Sequence, residues 1–300
     1  MLAPVIVFGF NRPEVFGEAI KALKNNSLAT DTNLYIFIDG PRNNHDVAKV
    51  AEVVKIAHAV TGFKSVTVNA SSANKGLAQS IISGVTEIIE QYGKVIVVED
   101  DLIVAPSFLT FMNQFLNKYE HDYRIFQISG FGVKIRPPKD YKYDIYMNIR
   151  AQSWTWGTWK DRWVTVDWEV SDFIELSQDK KKQRAFNKGG SDLFGMLKGY
   201  MIGINNSWYI RFNYSMFNQK KYAIVPVKSL VQNEGFGVEA THCNTYNRYE
   251  VDFQRDEKHF FTSPDAIEPD PRLYQQAVKY WSIRYRIYGK IMTLLYKLMK

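Results

Sequence analysis

Residues 94–102 read Lys94-Val95-Ile96-Val97-Val98-Glu99-Asp100-Asp101-Leu102. Four consecutive β-branched residues show neither the alternation of a half-exposed strand nor the length of a helix. They suit a strand covered on both faces, as in a parallel sheet. Three acids follow at once. Uncompensated carboxylates are costly to bury, so the strand ends where the acids begin.

The same grammar recurs on the N-terminal side. Pro4 to Gly9 is an apolar run closed by Phe10-Asn11-Arg12-Pro13, and Val15, Phe16, Ala19, Ile20 and Leu23 then recur at helical spacing. Leu34 to Ile38 is a second buried strand, closed by Asp39-Gly40-Pro41. Asp46 to Val60 is amphipathic with Val47, Val50, Val53, Val54 and Ala57 inward, and Ser65 to Asn69 is a short strand. Lys75 to Tyr92 is a helix with Leu77, Ile81, Ile82, Val85, Ile88 and Ile89 inward; Pro106 suits the first turn of another helix running to about Tyr119. Strands alternating with helices predict an α/β fold with an open, mostly parallel, twisted sheet and helices on both faces. Ligands bind such sheets at the carboxyl ends of the strands. Asn11-Arg12, Asp39 and Glu99-Asp100-Asp101 then share one edge.

The rest of the chain is less regular and rich in aromatics. Strand-like runs occur at 125–129 and 143–149, and Trp154, Trp156, Trp159, Trp163 and Trp168 follow. The charged segment 179–184 and Gly189-Gly190 read as a turn or mobile loop. With no internal repeat or linker, the expected organisation is one catalytic-type domain over 1–265. Its halves divide near residue 125, and a basic helical tail covers 266–300.

Composition narrows the classes. Lys and Arg number 38 against 31 Asp and Glu, a formal charge of +7. That balance suits anionic partners, but no nucleic-acid motif accompanies it. One cysteine, Cys243, excludes an intrachain disulfide and a Cys-based zinc cluster. The expected setting is reducing and cytoplasmic. No run reaches the roughly 18 apolar residues of a membrane span.

The acids at 99–101 have two readings: solvent-facing loop acids, or ligands of a hard divalent ion, Mg²⁺ or Mn²⁺, that also meets the oxygens of a diphosphate. Simple helix capping explains them poorly, because Pro106 puts the next helix several residues on. The other edge residues also have plain alternatives. Arg12 can pair with Glu14 or a nearby acid, Asn74 can cap a helix, and Asp39-Gly40-Pro41 can form a turn.

The stretch Glu99-Asp100-Asp101-Leu102 through Ala105-Pro106 resembles the metal-binding segment of GT-A glycosyltransferases, particularly the N-acetylglucosaminyltransferase I type. The N-terminal Phe8-Gly9-Phe10-Asn11-Arg12-Pro13, the helix start Asn74-Lys75-Gly76-Leu77-Ala78 and the Ser153–Trp163 stretch are similar to a bacterial group of that fold. The resemblance implies a metal-dependent hexosyl- or N-acetylhexosaminyltransferase. Such an enzyme moves a sugar from a nucleotide-sugar, a UDP-sugar, to a glycan or lipid-linked acceptor, with inversion, in surface polysaccharide biosynthesis. It implies Asp101 as the direct metal ligand, with Glu99 and Asp100 meeting the ribose or the metal's water shell. Asn11 and Arg12 would contact the nucleotide, Asp39 the base, and Asn74, Lys75 and Gly76 the nucleotide or donor sugar. Trp154, Trp156 and Gly157 would shape the sugar pocket, with Trp208 nearby; Trp159 and Trp163, one helical turn apart, read instead as core. His242 is a candidate for diphosphate or metal contact.

Inversion needs a carboxylate that takes the acceptor's proton. Here the chain departs from the resembled pattern. The tryptophan match, Asn206-Ser207-Trp208, carries no acid, and Gly235 to Ala240 has a glycine where an aspartate is expected. Asp192 and Glu239 remain as base candidates, ahead of Glu234 and Asp161. Without a base the chain would be an inactive transferase-like binding protein; a sugar nucleotidyltransferase is disfavoured, since the N-terminus lacks a Gly-rich basic loop. Tyr274 to Lys300 is basic, aromatic and free of acids. It reads either as a helix packed on the domain or as an amphipathic anchor on the anionic inner face of the cytoplasmic membrane.

Overall fold

The computed structural model describes residues 1–233, 246, 249 and 251–298. In chain order the first elements are β1 (Val5–Gly9), α1 (Pro13–Lys24), β2 (Asn33–Ile38), α2 (Asn44–His58), β3 (Ser65–Ala70), α3 (Leu77–Tyr92) and β4 (Lys94–Glu99). Then come β5 (Leu102–Val104), α4 (Phe108–Lys118), β6 (Ile125–Ser129), β7 (Ile145–Asn148), β8 (Trp156–Trp159) and α5 (Lys160–Trp163). The remainder are α6 (Phe173–Gln178), α7 (Lys180–Phe186), α8 (Leu193–Met201), α9 (Trp208–Asn218), β9 (Tyr222–Pro226), β10 (Val231–Asn233), α10 (Pro271–Val278) and α11 (Ile283–Leu298).

Eight strands form one sheet in the order β3-β2-β1-β4-β8-β6-β9-β7. The pairs β1–β2, β1–β4, β2–β3 and β6–β9 are parallel, whereas β8 and β7 run against their neighbours. The sheet is therefore mixed and mostly parallel, as the alternation of strands and helices predicts. Adjacent residues of β1 show that both faces are covered. The Phe8 ring lies against Gly84 of α3, while the space beside Gly9 is filled by Phe16 of α1 and Val53 of α2. β4 is buried from Val95 to Val98, which is why its four apolar residues show no alternation. One hydrophobic cluster spreads from Ala3 to Trp281; a smaller one forms around Leu176, Phe186, Leu193 and Ile210.

Local chemistry explains where elements depart from the sequence reading. α3 starts at Leu77 instead of Lys75, because Gly76 takes a φ of +78° and ends the preceding loop. Leu77 and Val47, expected inward, are exposed at the first turns of their helices. Pro106 does not open α4. A short antiparallel pair, β5 with β10, intervenes, and α4 begins at Phe108. The charged segment after Asp179 is no loop: Asp179 accepts hydrogen bonds from the Lys181 and Lys182 amides and so caps α7. Trp159 and Trp163 are core residues as expected, with their ring N–H groups donating to the Leu116 carbonyl and the Thr86 hydroxyl.

Candidate functional site

Strand register brings the polar strand ends to one place. Phe8 of β1 pairs with Glu99 of β4, and Gly9 with Ile38 of β2, so residues 10–12, 39–42 and 99–101 emerge side by side. Between them lies a cavity of about 420 Å³. Its walls include Phe8, Phe10, Arg12, Phe37, Asp39, Arg42, Asn74, Gly76, Ser80, Glu99 and Asp100.

Arg12 stands just ahead of Pro13, at the mouth of α1. Its fork reaches across to β4, with Nη2 bonded to Asp100 and Nη1 3.0 Å from Asp101 Oδ2. The pairing with Glu14 is not made. Three carboxylates thus gather around one guanidinium. Burial, then the charges of Asp101 and Asp100, push Glu99 up to about 8. Burial lifts Asp100 to about 6 against the pull of Arg12. Asp101 stands beside the cavity, on the far prong of Arg12, and is not part of its wall.

Asp39 is fully engaged. Its Oδ1 accepts from the Gly40 and Lys75 amides at 3.0 and 2.8 Å; its Oδ2 accepts from Asn74 Nδ2 and the Gly76 amide at 3.1 and 2.8 Å. One carboxylate thereby fixes the whole 74–76 turn. Asn74 is no helix cap: its side chain donates to Asp39 and to the Gly40 carbonyl. Gly40 is needed for this approach, since a Cβ there would fall 2.5 Å from the Ala73 carbonyl carbon. Lys75 lines a smaller adjoining cavity with Asp39, Ser71 and Glu87.

Arg42 and Asp46 escaped the sequence reading. Asp46 accepts from Arg42 Nε and Nη2 at 2.8 and 3.1 Å and from Asn11 Nδ2 at 2.6 Å, and these bonds hold its carboxyl down at about 2. Arg42, so anchored, lies 4.8 Å over the Phe10 ring in the cavity wall. Asn11 is therefore one layer behind the cavity, positioning Asp46. The available signal was Arg42 directly after Asp39-Gly40-Pro41, with an acid four residues on.

A second cavity, of about 270 Å³, opens where β6 ends and β8 begins. Trp156 pairs with both Val97 of β4 and Ser129 of β6, so Phe131 and Ser153-Trp154 lie at the same sheet edge as Glu99. Phe131, Trp154, Tyr209, Tyr249 and Trp281 supply aromatic walls, and Arg150, Gln152 and Asp192 the polar ones. Arg150 grips Asp192 with two bonds of 2.8 and 3.0 Å and lies 4.5 Å from the Trp281 ring centre. Asp192 does not cap α8 through its side chain. Trp154 thus lines a cavity, but Trp156 and Trp208 do not. They stack on each other in the core with centroids 5.0 Å apart. Gly157 lies in β8, with the space beside it occupied by the Val95 carbonyl and Leu116. Asp161 sits in α5 and pairs with Arg162 at 2.7 Å. Glu234, Glu239, His242 and Cys243 lie outside the described residues.

Among the described residues no three His, Cys, Asp or Glu side chains converge to enclose a metal ion. The carboxylates still fit a hard cation of the kind that takes one or two protein oxygens and completes its shell with ligand oxygens and water. Arg12 occupies one oxygen each of Asp100 and Asp101, and the cluster holds more carboxylates than cations.

No family model matches this sequence, and no curated protein matches it. Among solved structures, similar folds include a mannosyltransferase from Pyrobaculum calidifontis in complex with GDP-Man and Mn²⁺, at 12% identity and a TM-score of 0.37. The alignment covers 54% of this chain and 46% of that one. S. aureus TarS 1-349 aligns at 12% identity and a TM-score of 0.44, over 77% of this chain and 60% of that one. The galactosyltransferase LgtC, in complex with donor and acceptor sugar analogs, aligns at 11% identity and a TM-score of 0.37, over 71% and 70%. The chain thus spans about half to three-fifths of the first two. At these scores the likeness transfers no residue role and no activity; what the described residues display is a mixed α/β sheet with cavities along its carboxyl edge.

Proposed function

We propose that this chain is a glycosyltransferase that binds a nucleotide-sugar, a UDP-sugar, in the larger cavity and a glycan acceptor in the aromatic one. The observation carrying this reading is the shared sheet edge. One cavity combines aromatic rings, two arginines and a carboxylate cluster; the other is aromatic with a neutralised ion pair, and strand register sets them side by side.

The parts divide by chemistry. Phe10 and Phe37 offer flat apolar surface to a nucleobase. Asp39, by holding residues 74–76, presents a rigid wall beside it. Arg12 and Arg42 face a diphosphate with charge fixed by Asp100, Asp101 and Asp46. Asp101, beside the cavity, with Asp100 and Glu99 in its wall, would hold the Mn²⁺ or Mg²⁺. A divalent ion there supplies positive charge to the leaving nucleoside diphosphate. In the second cavity, rings such as Trp154 and Trp281 suit the C–H faces of a sugar. The base for an inverting transfer is assigned to Glu239 ahead of Asp192, because both Asp192 oxygens are committed to Arg150.

Slow donor breakdown tests this reading without knowledge of the acceptor. The chain incubated with a panel of UDP-sugars and Mn²⁺ is expected to release UDP from one of them, and chelation with EDTA is expected to stop it. Release that persists undiminished in EDTA would remove the metal from the account.

A further inference from the structure

α11 presents its apolar side to solvent. Ile283, Ile287, Ile291, Leu294 and Leu295 fall on one stripe at helical spacing, and Ile287 and Leu294 are 53% and 61% exposed. The opposite side faces the protein: Gly289 is buried, and the Thr293 hydroxyl accepts from the Tyr246 amide at 3.1 Å. The helix is therefore fixed by one face while the other shows what a protein normally hides. No helix among the described residues is long and apolar enough to cross a membrane.

Charge says what covers the stripe. Exposed Arg284 and Lys290 accompany it, with Arg286 alongside, and no Asp or Glu follows Asp270 in the sequence. A second copy laid against this face would bring like charges together. An anionic surface would be attracted and could take up the aliphatic side chains.

We propose that α11 docks flat on an anionic lipid bilayer, its isoleucine and leucine side chains at the acyl boundary and its Arg and Lys side chains among the headgroups. Trp281, in the wall of the aromatic cavity, lies two residues before the helix. Docking therefore brings that cavity to the lipid surface, where a membrane-anchored glycan would be presented. The glycan rests on the transferase reading; the docking itself does not.

Vesicle flotation of the full chain tests the docking. The wild-type protein is expected to float with phosphatidylcholine vesicles containing about one-third phosphatidylglycerol in about 0.1 M salt, and to release in about 0.5 M salt as the charges are screened. The triple variant I287E/I291E/L294E, its fold checked by circular dichroism, is expected to bind about tenfold or more weakly. The exposed control I174E/I204E, away from the stripe, is expected to bind as wild type. Equal flotation of wild type and triple variant would overturn the proposal. So would absence of wild-type binding, or a dimer in light scattering that the triple variant abolishes, which would assign the face to a second copy.

Discussion

Arg150→Met is expected to destabilise the protein by about 3–5 kcal/mol, because it strands a buried Asp192 without its counter-charge. The side chains of the pair are 3% and 9% exposed. Arg150 also donates to the Gly189 carbonyl at 3.2 Å and fills the space against Trp281 and Tyr209. For a chain of this size the loss lowers the melting temperature by on the order of 10 °C. The double variant R150M/D192L is expected to recover most of it, since two apolar side chains leave no unpaired charge. Thermal denaturation of the three proteins decides the matter. A drop below about 1 kcal/mol for R150M alone would mean that the pair is not desolvated as the structure has it.

Asp101→Asn is expected to lower donor turnover by about a hundredfold or more while leaving the fold intact. A cation at a leaving diphosphate contributes several kcal/mol of transition-state stabilisation, and about 1.4 kcal/mol corresponds to a factor of ten in rate. The folding cost is small because Asp101 is partly exposed and Arg12 keeps its bond to Asp100. Asp100→Asn, measured alongside, separates the two carboxylates. Asp100 lines the cavity and Asp101 does not, so a larger loss in D100N would move the cation's direct ligand from Asp101 to Asp100. Wild-type turnover in both variants would remove the cluster from the chemistry.

The parallel half of the fold was legible because buried strands write themselves as unbroken apolar runs, as at Val95 to Val98, and polar or charged residues follow β1, β2 and β4 at Asn11, Asp39 and Asp100. The shared edge of Asn11-Arg12, Asp39 and Glu99 followed from that alone. The β5–β10 pair was not legible, because three residues carry no period and the partner lies more than a hundred positions away. Nor was α7, where three lysines follow Asp179; its cap, and not an apolar face, marks its start. The tryptophans mislead for a related reason. Trp154 and Trp156 are two apart in sequence but point to opposite fates, one in a cavity wall and one in the core. Aromatic identity carries no mark of which. Arg42 was missed because its role depends on Asp46 and Asn11, contacts that spacing only half suggests, and Arg150 because its partner Asp192 is 42 residues away.

The edge between β1, β2 and β4 is the proposed seat of a nucleoside diphosphate. Calorimetric titration of UDP, with GDP and ADP as comparators, into the full chain with Mn²⁺ tests it most directly, using Asp39→Ala as the site variant. Binding of one UDP per chain, abolished in D39A as residues 74–76 lose their anchor, is the predicted result. Absence of saturable binding for all three nucleotides, or UDP binding that D39A leaves unchanged, would contradict the account.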